Sequence, residues 1–109
     1  KRKVTGVRWK GLFIKSREGS EVYAVASGKV VFSDWIKGFG NIIIIDHGKS
    51  YMSLYGNNDS LLKESNDIVK GGSVIALVGN SGGNLTNGLY YELRKNSKPF
   101  NPLKWTTLK

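Results

Sequence analysis

The sequence predicts an all-β domain with at most one short helix. Two observations carry this. The chain repeats one unit, a short apolar stretch closed by a glycine turn, and almost nowhere shows the 3.6-residue spacing of an amphipathic helix. It also spends 14 of its 109 residues on glycine, as a fold of many short strands joined by tight turns requires.

Taken in order, the first candidate strand is 12–15 (Leu-Phe-Ile-Lys), with a turn at Gly19. The second, 21–24, ends before Ser27-Gly28, and the third runs over 28–35 to the glycine corner Gly38–Gly40. Next comes 41–46, where four consecutive isoleucines make both alternating faces apolar, the pattern of a central strand covered on both sides. After Gly48 the fifth strand spans 51–55. The one helical candidate is 59–64, with Asn58 or Asp59 able to cap its first turn. Beyond Gly71-Gly72, strand 73–78 is again apolar on both faces. The last, 89–95, alternates so that Tyr90, Glu92 and Arg94 share one face, while Leu89, Tyr91 and Leu93 turn to the core. Trp35 and Trp105 read as core residues. Segments 21–30 and 67–76 echo each other, each alternating apolar residues through a glycine turn into a strand.

The length fits one domain over 1–109. The chain opens at Lys1 and its single Met is Met52, which marks a processed product or an excised segment, here expected to be the C-terminal part of a longer envelope protein. With no Cys there is no disulfide, thiolate nucleophile or Cys-type zinc site, and a single His closes any mechanism that needs two imidazoles. No apolar run is long enough to span a bilayer. The net charge of +9 is uneven: residues 1–17 carry seven basic groups and 94–109 five, both without an acid, around a middle with five basic and eight acidic residues. Such a pattern steers a domain toward a polyanion or an acidic protein surface. No recognition helix or nucleic-acid motif accompanies the charge, so nucleic acid is not expected.

The order of motifs is more specific than any one of them. Trp9-Lys10-Gly11-Leu12-Phe13-Ile14 precedes Gly19-Ser20-Glu21-Val22-Tyr23-Ala24 and Ser27-Gly28-Lys29-Val30. There follow Gly38-Phe39-Gly40-Asn41, Ile45-Asp46-His47-Gly48, Ser53-Leu54-Tyr55-Gly56, Ala76-Leu77-Val78-Gly79-Asn80-Ser81-Gly82-Gly83, Leu89-Tyr90-Tyr91-Glu92 and Asn101-Pro102. From about Trp9 to Trp105 this resembles a LytM (lysostaphin-like) peptidase domain, and in particular the degenerate EnvC-type murein hydrolase activators. The resemblance implies a duplicated hybrid motif, a β-sandwich or open barrel. Zinc-bearing members hydrolyse peptide crosslinks in bacterial cell walls. Carried over by that resemblance, their ligand and catalytic positions fall on Trp9, Phe13, Asn57, Gly88 and Tyr90, all replaced here. A hydrolytic zinc site needs about three protein ligands and an activated water, so neither catalysis nor a metal or other cofactor is expected. His47, in the Asp-His-Gly turn, is expected to order that turn by hydrogen bonding rather than bind metal.

The replacements turn a polar catalytic floor into an aromatic one, which suits a partner helix with aromatic anchors and a basic rim. What the resemblance implies is a non-catalytic activator of periplasmic N-acetylmuramoyl-L-alanine amidases during septal peptidoglycan splitting in cell division, binding an amidase regulatory helix. The expected groove residues are Lys10, Phe13, Phe39, Ile42, Tyr55, Tyr90 and Arg94. Peptidoglycan is a second expected partner, and division-machinery proteins are expected to act through upstream regions. Competing readings are a zinc-dependent endopeptidase, an anionic wall-polymer binding module, and a carrier domain displaying Lys29 or Lys70 at a hairpin tip.

Overall fold

A computed structural model describes residues 11–83 and 86–100. Among these residues nine strands form one antiparallel system: β1 (Leu12–Lys15), β2 (Glu21–Tyr23), β3 (Gly28–Ile36), β4 (Gly40–Gly48), β5 (Tyr51–Leu61), β6 (Ile68–Val69), β7 (Val74–Val78), β8 (Gly88–Lys95) and β9 (Lys98–Phe100). The main order is β1-β8-β5-β4-β3-β6, with β7 joined to β5 and β2, and β9 to β8. Among the described residues there is no helix, and so none long and apolar enough to cross a membrane.

The helical candidate 59–64 is corrected. β5 continues to Leu61, pairing Asn58 with Val78, Ser60 with Leu77 and Leu61 with Ala76, and the Leu62 amide then donates to the Ile75 carbonyl. A capped turn at Asn58 offers one or two local bonds. The edge of β7 offers a ladder, and tertiary pairing overrides the local preference. Strand 51–55 is thereby longer than its sequence pattern suggests. One side of β5 is taken by β4, the other first by β8 (51–56) and then by β7 (58–61).

The two echoing segments pair with each other, β2 with β7 and β3 with β6. Their inward residues build the core: Val22, Ala24 and Val30 meet Val69, Ile75, Ala76 and Val78, closed by Ile43, Ile45 and Tyr55. Leu89 and Tyr91 pack against this cluster and Leu93 is buried, as the alternation of β8 requires. Ile42 and Leu54 are buried on the opposite face of the same sheet. Trp35 does not join the core. It stands 53% exposed near the tip of the β3–β4 hairpin, paired with Asn41.

The single His is a node of the core-facing side. Its Nδ1 lies 2.8 Å from the Ser27 carbonyl oxygen, which only accepts, so Nδ1 carries the proton. Nε2 then accepts from Ser53 Oγ at 2.6 Å, Ser53 Oγ meets the Tyr55 hydroxyl at 2.7 Å, and that hydroxyl accepts the Val25 amide at 3.1 Å. Asp46 holds the same turn by accepting the Gly48 amide. Burial pushes the Tyr55 phenol up from 10 to about 12. A folded pKa above the unfolded one gives stability that is complete below pH 10 and drains as pH rises through 12. The loss over that interval is about 2–3 kcal/mol from this group. Urea midpoints should therefore hold steady from pH 7 to 9.5 and fall above 10, with Tyr55→Phe falling less steeply. Parallel curves for the two proteins would refute the assignment.

Candidate functional site

The open face of the main sheet is built around β8. Along it Tyr90, Glu92 and Arg94 follow every second residue and stand side by side. Glu92 is 2% exposed, yet both carboxylate oxygens are served: Oε2 accepts from the Tyr90 hydroxyl and Oε1 from Arg94 Nε at 2.7 Å. Burial and the Glu92 hydrogen bond push the Tyr90 phenol well above its ordinary value, so it stays a donor at neutral pH. Across the strands Tyr90 faces Phe13 on β1 and Gly56 on β5, Glu92 faces Leu54, and Arg94 faces Met52. Phe39 reaches over from the glycine corner, its ring centroid 5.4 Å from that of Tyr90 and tilted by 46°.

Phe39 is held in that position by a polar knot that the sequence reading missed. Asn57, at φ 63°, donates its side-chain amide to the Phe39 and Ser81 carbonyls at 3.1 and 2.8 Å, and its backbone amide to the Phe39 carbonyl at 2.7 Å. Ser81 Oγ accepts the Asn41 amide and donates to the Asn58 carbonyl. Asn58, fully buried, returns its amide group to the Asn41 and Tyr55 carbonyls. The available signal was the Asn57-Asn58 pair set between apolar strand and turn, since Asn tolerates positive φ and bonds to backbone.

Of the expected groove residues, the structure brings Phe13, Phe39, Tyr90 and Arg94 to the open face. Phe13 is 41% exposed and Arg94 keeps 35% of its side chain accessible. Ile42 shares that face by alternation with Ile44 but is buried, so it forms floor rather than contact surface. Tyr55 is a correction. It is opposite Tyr91 in register, its ring 5.6 Å from the Tyr91 ring, and it belongs to the core face with Ser53 and Val25. The bulge between Asn41 and Ile43, where the partner on β5 steps from Asn58 to Tyr55, lies to one side of it, and the regular register from Ile43 onward keeps it facing inward. Trp9, Lys10 and Trp105 lie outside the described residues.

The described positions that the resemblance assigns to a zinc site, Phe13, Asn57, Gly88 and Tyr90, are engaged elsewhere. A Cβ on Gly88 would sit 2.6 Å from Phe13 Cζ, so the phenyl ring fills the space that a side chain at 88 would need. The Asn57 amide is spent on two carbonyls and the Tyr90 phenol on Glu92. His47 has both ring nitrogens engaged on the other face. Among the described residues no cluster of three or more His, Cys, Asp or Glu is placed to hold a metal.

The model of peptidase family M23 matches residues 7–102. The chain belongs to this family. Within it, the chain is 46% identical over 99 residues to the murein hydrolase activator EnvC of Escherichia coli K12, covering 91% of this chain and 24% of that protein. It is 38% identical over 97 residues to the murein hydrolase activator NlpD of Salmonella dublin, covering 88% of this chain and 26% of that one. It thus spans about a quarter of the length of these relatives. The catalytic domain of the antimicrobial peptidase lysostaphin from Staphylococcus simulans shares the fold, with a TM-score of 0.82 at 24% identity over 89% of this chain and 77% of that one. The LytM resemblance and the all-β architecture are both confirmed.

Proposed function

We propose that this domain is a non-catalytic activator of periplasmic N-acetylmuramoyl-L-alanine amidases, acting at the septum during cell division. The observation that carries this reading is the open face itself. Phe13 and Tyr90, two of the positions that the resemblance assigns to a zinc site, form with Phe39 an aromatic shelf beside a partly exposed cation, Arg94. An amphipathic helix with apolar anchors and an acidic flank complements such a surface. The names of the activator relatives support the regulation of peptidoglycan hydrolysis as the setting. Lys10 joins the contact set by sequence, and Ile42 backs it from below. Upstream regions of the full-length protein supply the link to the division machinery.

The test is dye release from labelled peptidoglycan by purified amidases with and without the domain. Stimulation of at least one amidase is expected, together with no release by the domain alone. Release by the domain alone, abolished by a chelator, would instead favour the zinc endopeptidase.

A further inference from the structure

We propose that Glu92 is a positioning residue for partner recognition: it turns the Arg94 guanidinium so that its outer edge grips a carboxylate on the bound helix. This rests on the activator reading and adds the chemistry by which the site reads its partner. A carboxylate as buried as Glu92 is costly unless its charge is matched. Here each oxygen takes one strong donor, the Tyr90 hydroxyl on one side and Arg94 Nε, 2.7 Å away, on the other. The Arg94 side chain is bent back along β8 toward its neighbour two residues before it, and stays 35% accessible.

The consequence lies in which nitrogen Glu92 uses. Guanidinium presents its donors in a planar fork, and only Nε is committed to Glu92. Among the described residues the two terminal nitrogens make no hydrogen bond, and the side chain stays partly accessible, so this pair is free for one carboxylate in the two-bonded geometry that arginine favours. Glu92 also removes rotamer freedom before the partner arrives, which lowers the cost of forming that contact. The partner group is thus an Asp or Glu side chain, next to an apolar residue that lies on Tyr90 and Phe39. Lysine at 94 would retain the charge and lose the arrangement, because one ammonium cannot face Glu92 and offer a fork outward.

The experiment measures binding of the domain to a purified amidase that the wild-type domain stimulates, by biolayer interferometry, with unfolding curves recorded for every variant. Glu92→Gln should weaken binding about tenfold, the scale of one charge-assisted contact. Added to Arg94→Ala, the same change should alter binding less than about twofold, because its route through Arg94 is already gone. Arg94→Lys, which leaves Glu92 paired with a cation, should weaken binding nearly as much as Arg94→Ala and serves as the readout if Glu92→Gln fails to fold. Binding of a folded Glu92→Gln or of Arg94→Lys within twofold of wild type would overturn the proposal. So would an equal loss from Glu92→Gln in both backgrounds, the mark of a merely structural role. A wild-type domain that stimulates no amidase removes the activator reading and this one with it, and that failure is recognisable because it precedes any variant.

Discussion

Arg94→Ala is expected to reduce amidase stimulation by about thirtyfold or more, the effect of truncating a central charged anchor at an interface. Tyr90→Ala should do the same by taking away the ring that Phe39 leans on. Neither should unfold the domain. Arg94→Ala leaves Glu92 with the Tyr90 hydroxyl alone, which costs about 1–3 kcal/mol and lowers Tm by several degrees. The core beneath is untouched, since it is made on the other face by Val30, Ile43, Ile45 and their neighbours. Far-UV circular dichroism and a thermal scan beside the dye-release assay separate the two effects. A folded Arg94→Ala protein that stimulates within twofold of wild type would sink the groove as the functional site.

Gly40→Ala should be far more damaging than its single methyl suggests. Gly40 has φ +70°, a region that side chains other than Gly and Asn rarely enter, and its Cβ would press against Ser81, 2.5 Å from the carbonyl carbon, and stand 2.7 Å from the Gly82 nitrogen. Neither neighbour can retreat, because Ser81 is tied to Asn41 and Asn58 and the Asn57 amide holds its carbonyl. Backbone strain and overpacking each contribute about 1–3 kcal/mol, so a loss on the order of 3 kcal/mol is expected in urea. Phe39 is the preceding residue, so binding should weaken as well, even under conditions where the variant is folded. A stability loss below about 1 kcal/mol would show that the knot yields more easily than its geometry implies.

What the sequence disclosed and what it withheld divide along physical lines. The isoleucine run of β4 and the alternation of β8 are strong periodic signals, and both strands fall where the pattern put them. Tyr90, Glu92 and Arg94 came out together because a period of two leaves no other choice. Tyr55 was misplaced because the face of β5 depends on its register against β8, and register is decided between strands rather than within one. The helix over 59–64 failed for the same kind of reason, a distant edge outbidding a local cap. Trp35 shows that a large apolar side chain is poor evidence of burial at a strand end. The Asn57–Ser81 knot joins residues 24 positions apart through backbone carbonyls, and side-chain periodicity carries no trace of such contacts.

The exchange of partners between the echoing segments, β2 with β7 and β3 with β6, bears on how the chain reaches this fold. Neither segment can finish a sheet from its own residues, and β1 must wait for β8, more than 70 residues further along. Beside the local hairpins β3–β4, β4–β5 and β8–β9, every other pairing joins distant strands, so the rate-limiting nucleus has to gather distant parts of the chain, and refolding on the millisecond-to-second scale is expected. Stopped-flow fluorescence would read it as one cooperative phase. A domain interlaced in this way is kinetically indivisible: its halves are strands of a single knit, and cutting the loop between them should leave two unfolded pieces rather than two smaller modules.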